Sequence, residues 1–168
     1  MRNALCLALA LFAAACEREE PLDVSRGLEL TRFQGKWYEI ASLPRRSQAG
    51  CVGTTAEYRL ASERELLVVN ECHQGTLSGP VVRAAARALV ADPDVPAKLS
   101  LDFGFAFGDY WVLDVGESYE YAVVGHPTRD YLWILSRTPV LPEATLQGHV
   151  DRAKKRGFPT GMLRYTQQ

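Results

Sequence analysis

Lys98-Leu99-Ser100-Leu101-Asp102-Phe103 alternates polar and apolar side chains without a break. A period of two puts Leu99, Leu101 and Phe103 on one face, the pattern of a β-strand with one side in a core. Outward from this stretch, the same kind of unit repeats along the chain. Apolar or alternating runs lie near 37–42, 51–60, 65–73, 81–91, 109–115, 119–125 and 131–137. Turn formers separate them: Gly50, Ser62-Glu63, Gly75, Gly79-Pro80, Asp92-Pro93-Asp94, Gly108-Asp109, Gly116-Glu117 and His126-Pro127. The spacing predicts eight antiparallel strands in a barrel or sandwich, with a short ninth strand near 161–166.

Pro142 to Arg156 departs from this pattern. Leu141, Ala144 or Thr145, and Val150 to Ala153 recur at roughly helical spacing. Glu143 opens the segment, Arg152, Lys154, Lys155 and Arg156 close it, and Gly157 follows. Acid at the start and base at the end complement a helix dipole, and glycine is a common stop. One helix after eight strands has to lay its apolar face on the outside of the sheet. The expected fold is all-β: eight antiparallel strands closed as an up-and-down β-barrel or stacked as a sandwich, one C-terminal α-helix packed outside, and a short ninth strand.

Composition removes several functions. The 168 residues carry 19 Lys+Arg against 20 Asp+Glu, a net charge of −1, with no basic block. A nucleic-acid partner is not expected. The longest apolar run, Ala4 to Ala15, falls short of the ~18 residues of a membrane-spanning helix. It has the length of a secretory h-region and ends at Ala13-Ala14-Ala15-Cys16. Ala13 and Ala15 suit an ordinary signal peptidase. A Cys directly after Ala15 also resembles a bacterial lipobox, with Ala13 where that motif usually has Leu. The division expected is 1–15 signal peptide, 16–21 lipidated Cys16 and tether, and 22–168 barrel domain. Glu17, rather than Asp, follows the Cys and favours the outer membrane of the bacterial cell envelope, facing the periplasm.

Chemistry-bearing motifs are sparse. The chain has no Gly-x-Ser-x-Gly elbow, no His-Glu-x-x-His and no phosphate-binding Gly-rich loop. His73, His126 and His149 are far apart, show no metal spacing and are expected at the surface. No catalytic residue, metal or cofactor is assigned, and the protein is expected to be a binding protein rather than an enzyme.

Two stretches carry a family resemblance. Gly35-Lys36-Trp37-Tyr38-Glu39-Ile40-Ala41 resembles the G-x-W motif that opens the first strand of lipocalins. Gly108 to Leu113, Tyr119 to Gly125 and Tyr131 to Pro139 resemble the sixth to eighth strands of bacterial lipocalin lipoproteins and their apolipoprotein D-like relatives. Asp114 followed by Tyr119 carries part of the family's Thr-Asp-Tyr-like motif. In a closed barrel the first and last strands are antiparallel neighbours, so Trp37 meets Arg137. A guanidinium over an indole is a cation–π contact of ~0.5–2 kcal/mol. Gly35, Trp37 and Arg137 are read as a structural plug at one end.

The other end must then admit a ligand, between loops 43–50, 74–80, 104–109 and 126–130. Cys51 and Cys72 fall near that rim. A tight turn near 61–65 brings them nearly opposite, within reach of a disulfide; two reduced thiols are the alternative. That pairing leaves Cys16 as the odd cysteine once Cys6 is removed with a signal peptide. Alternation names Tyr58, Leu66, Val68, Leu99, Leu101, Phe103, Tyr121 and Trp133 as lining residues, with Phe107 and Trp133 at the mouth. They would either surround a cavity or simply fill the core. The resemblance implies a small amphiphile as ligand: a fatty acid, lysophospholipid or similar, held for storage, transport or membrane maintenance. The chain would be a monomer or weak homodimer, joined to the membrane through its N-terminal lipid anchor. A barrel enzyme acting on a lipophilic substrate and a surface protein-interaction module are the competing functions.

Overall fold

The computed structural model describes residues 21–168. The signal peptide, Cys16 and residues 16–20 of the tether lie outside the described residues. The elements are α1 (Leu30–Phe33), β1 (Gly35–Ser42), β2 (Cys51–Ser62), β3 (Glu65–Gln74), β4 (Val81–Val90), β5 (Lys98–Asp102), β6 (Phe107–Val115), β7 (Tyr121–Gly125), β8 (Leu132–Ser136), α2 (Glu143–Lys155) and β9 (Arg164–Tyr165). The sheet runs β2-β3-β4-β5-β6-β7-β8-β1, and β1 also pairs with β2, which closes the barrel. All pairings are antiparallel. The β1–β2 ladder ends at Tyr38↔Thr55, and β9 takes β1's free edge beyond it. The tail continues into this seam: the Gln168 side-chain amide donates to the carbonyls of Glu39 and Thr54 at 2.6 and 3.0 Å.

Alternation explains most of the interior. Leu66 and Val68 on β3, Ala86, Ala88 and Val90 on β4, and Leu99 and Leu101 on β5 share one core. Leu67 and Val69 on the opposite face are exposed. The expected helix forms as α2 and packs outside: Leu146 and Val150 meet Ile40, Ala41 and Ile134, while Ala153 meets Val123, Leu132 and Phe158. Its end is a Schellman turn. Phe158 N–H reaches the Ala153 carbonyl and Gly157 N–H reaches that of Lys154, with Gly157 at φ +87°.

This outer layer corrects two expectations. Tyr121 does not face the barrel interior; its ring lies 4.1 Å from that of His149 on α2. The neighbours Ala122 and Val124 point inward instead. β7 is covered on both faces, so both are apolar and its alternation carries no directional signal. His149 is correspondingly not a surface residue, being only 1% exposed.

The closed end is built around Arg137. Its guanidinium carbon sits 3.8 Å from the centre of the Trp37 ring. Its three nitrogens donate to backbone carbonyls: Nε to Tyr119 at 3.2 Å, Nη1 to Lys36 at 3.0 Å and Nη2 to Arg32 at 2.9 Å. Gly35 has φ +89°, and a Cβ there would lie 3.3 Å from Arg137 Nη1. Beneath the plug, α1 contributes Phe33, whose carbonyl accepts the Trp37 indole N–H at 2.9 Å. Tyr119 belongs to the same end, since its hydroxyl accepts the Glu29 N–H at 2.8 Å. The four-residue α1 was not anticipated, being too short to show a period.

Cys51 and Cys72 are disulfide-bonded, with Cα atoms 5.5 Å apart. They are diagonal rather than opposite: Cys51 faces Gln74, and a bulge between Val52 and Thr55 shifts the β2–β3 register.

Two outcomes are expected. Trp37→Ala and Arg137→Ala should each cost about 2–4 kcal/mol in denaturant melts, and the double variant should cost less than their sum. Strict additivity would show that the two side chains act independently. The second concerns His149. Burial, reinforced by the Arg152 charge, holds its pKa below the ordinary 6.5, while Asp114 and Glu120 oppose the shift. The unfolded chain therefore binds the extra proton first, and the stability from the neutral ring is present above pH 6.5 and lost below it. On going from pH 7.5 to 5, wild type should lose more melting temperature than His149→Gln; equal losses would remove His149 as the cause.

Candidate ligand-binding cavity

The barrel is half core and half container. Its lower half is solid: Phe33, Trp37, Tyr58, Leu66, Val68 and Leu99 are all buried in one cluster. Above them lies a cavity of about 810 Å³ lined by three of the expected loops, 43–50, 104–109 and 126–130, but not by 74–80. That volume falls within the ~300–1,000 Å³ of small-molecule sites. The boundary between the halves is a hydrogen bond between the hydroxyls of Tyr58 and Tyr110, 2.5 Å long. Burial pushes both phenols upward, Tyr110 to about 12. Both stay neutral near pH 7, so this pair makes the boundary polar without adding charge.

The candidate lining residues divide along this boundary. Leu101, Phe103, Phe107 and Trp133 reach the cavity. Tyr58, Leu66, Val68 and Leu99 face inward as expected but are packing residues of the lower half. Both alternatives, hollow and filled, are thus realised at different heights.

The wall is laterally divided. On the β4–β6 side it is mostly apolar, with Val82, Leu101, Phe103, Phe105 and Phe107 beside Asp109 on β6. Phe105 is 91% exposed and Phe107 74% exposed, so this aromatic edge meets solvent at the rim. On the β1–β3 side it is polar: Arg45 and Gln48 come from the β1–β2 connection, Thr54 from β2 and Asn70 from β3. A smaller recess continues down to Glu39 and Tyr110. Glu39 is buried, with Oε1 accepting the hydroxyls of Ser42 and Thr166, both at 2.9 Å, and Oε2 the Gln48 amide at 3.4 Å. Trp133 joins the two sides. Its ring lies 5.3 Å from that of Tyr110, stacks on Tyr131 at 6.1 Å, and carries the Arg45 guanidinium 4.6 Å from its centre.

Several cavity residues escaped the sequence reading. Thr54 shares its parity with Tyr58, Asn70 with Leu66 and Val68, and Tyr110 with Val112. Extending each alternation by two or four residues finds them. Glu39 follows Trp37 by the same rule, but a bulge between Glu39 and Ala41 then turns Ala41 outward. Arg45 is on a loop, where no periodicity operates.

His126 lines the rim, its Nδ1 2.8 Å from the Thr128 hydroxyl. His73 lies beside the disulfide, its Nδ1 3.2 Å from the Gly79 carbonyl. Among the described residues no group of His, Cys, Asp and Glu could hold a metal ion.

Comparison with known proteins agrees with this geometry. The family model described as "Lipocalin-like domain" matches residues 28–168. Temperature-induced lipocalin-1 of Arabidopsis thaliana is 37% identical over 162 residues, covering 90% of this chain and 85% of that protein. The outer membrane lipoprotein Blc of Vibrio cholerae is 35% identical over 142 residues, 83% of this chain and 82% of its own. Blc of Escherichia coli K12 is 31% identical over 163 residues, covering 95% and 92%. Among solved structures, insecticyanin of the tobacco hornworm Manduca sexta superposes with a TM-score of 0.64 at 23% identity, covering 89% of this chain and 85% of that one. A barrel plugged by Trp37 and Arg137, hollow at the opposite end and matched by these relatives over most of its length, belongs to the lipocalin family.

Proposed function

We propose that this lipocalin is a lipid-anchored carrier that takes one small amphiphile, a fatty acid, a lysophospholipid or a similar molecule, into its barrel for storage, transport or membrane maintenance. The observation that carries the reading is the divided cavity. An aromatic and aliphatic wall faces a polar one across about 810 Å³, which suits a ligand with a chain on one side and a head on the other. The location rests on different ground. Cys16 directly follows an apolar run with small residues at its end. The similar Blc proteins are described as outer membrane lipoproteins. The protein would thus be tethered in the bacterial envelope, at the outer membrane facing the periplasm, as a monomer or weak homodimer. Two or three acyl chains give stable anchoring where one is marginal.

Calorimetric titration of oleate or an oleoyl lysophospholipid tests the binding reading. Trp133→Ala should raise the dissociation constant about ten- to thirty-fold, and the more exposed Phe107→Ala about five-fold, with folding confirmed by circular dichroism. A wild type that binds neither lipid, or affinities unchanged in both variants, overturns the pocket assignment. For the anchor, cells expressing wild type should incorporate labelled palmitate into the protein and Cys16→Ser should abolish it. An unlabelled wild type recovered in the periplasmic fraction refutes lipidation.

A further inference from the structure

Arg45 is an unusual residue to find in this cavity. Its guanidinium is drawn in from the β1–β2 connection and lies against the face of Trp133. Its Nε is buried without a hydrogen-bond partner, and none of the ion pairs among the described residues includes it. Burial lowers its pKa from the usual arginine value, and the Glu39 charge only partly offsets this. Glu39 does not supply the missing contact, since its oxygens already accept from Ser42, Thr166 and Gln48. A buried donor left unmatched is costly, and a planar fork of N–H groups is matched by a carboxylate or a phosphate. On the opposite wall, with Leu101 and Phe103, the charged side chain is Asp109 on β6, an acid that repels an anionic group rather than matching it.

We infer that Arg45, held flat by Trp133, is the headgroup-recognising residue of the cavity and selects a single-chain amphiphile with an anionic head. The head lies on the β1–β2 side and the chain against the β4–β6 wall. Carboxylate and phosphate present the same chemistry to the guanidinium. This inference rests on the proposed cavity function and adds its specificity.

The test is calorimetric titration of three probes sharing one chain: oleate, oleoyl lysophosphatidate and oleyl alcohol, at pH 8, into wild type, Arg45→Gln and Arg45→Lys. Wild type should bind at least one of the anions about ten-fold or more tightly than the alcohol, as charge-assisted hydrogen bonds predict. Preference for oleate alone identifies a carboxylate ligand, and preference for lysophosphatidate alone a phosphate. Arg45→Gln should erase the preference while keeping alcohol affinity within about three-fold, and Arg45→Lys should retain part of it. A preference that survives in Arg45→Gln, or a loss equal for all three probes in both variants, overturns the role of Arg45. Equal binding of the three probes by wild type also overturns it but leaves the cavity function standing. Binding of none of them overturns the cavity function itself.

Discussion

Everything else in this barrel depends on one stacked pair, the Arg137 guanidinium on the Trp37 indole. The pair does more than its contact energy of ~0.5–2 kcal/mol suggests. Arg137 also gathers carbonyls from three separate segments, at Arg32, Lys36 and Tyr119. It therefore joins the approach to the first strand, the turn before β7 and the end of β8 at one point. Once that end is filled, the strands can diverge toward the other. An eight-stranded barrel is only just wide enough to hold a small ligand. Filling its lower half completes a core from the chain's own side chains and leaves the upper half hollow.

Polarity then changes in steps along and across the barrel. The base is apolar and solid. The middle carries neutral hydroxyls at Tyr58 and Tyr110 and a fully engaged carboxylate at Glu39. The upper part separates a polar wall from an aromatic one. Buried polar groups in a hollow normally need partners, and most of these have them. Arg45 is the departure, which makes it informative about what the hollow accepts.

The overall fold could be read from the sequence because most strands have one face inside and one outside. β5 shows this most clearly, and β3 repeats it. Legibility failed where that contrast disappears. β7 is covered by α2 on its outer face, so Tyr121 could not be assigned a side from alternation. His149 looked like a surface histidine because the polar residues around it on the helix mask a ring buried against Tyr121. Bulges at Val52/Thr55 and Glu39/Ala41 reset the alternation within strands, and no local rule locates them in advance. The division of inward residues into core and lining was likewise invisible, because height along the barrel depends on how far the plug reaches. The cavity's polar side was only half legible: Thr54 and Asn70 follow from parity, whereas Arg45 depends on the path of a loop.

A vessel filled at its base and open at one rim also constrains kinetics. Whatever enters the cavity must leave past the same residues, so loading and unloading are one path traversed in opposite directions. A change that only lowers the barrier at the exposed edge around Phe105 speeds both directions by the same factor. It alters how quickly cargo is exchanged and leaves the fraction of filled molecules unchanged. The resting occupancy is set deeper, by the contacts that a bound molecule makes below the rim. Turnover and retention are thus governed by different heights of the same barrel, and each can be tuned without disturbing the other.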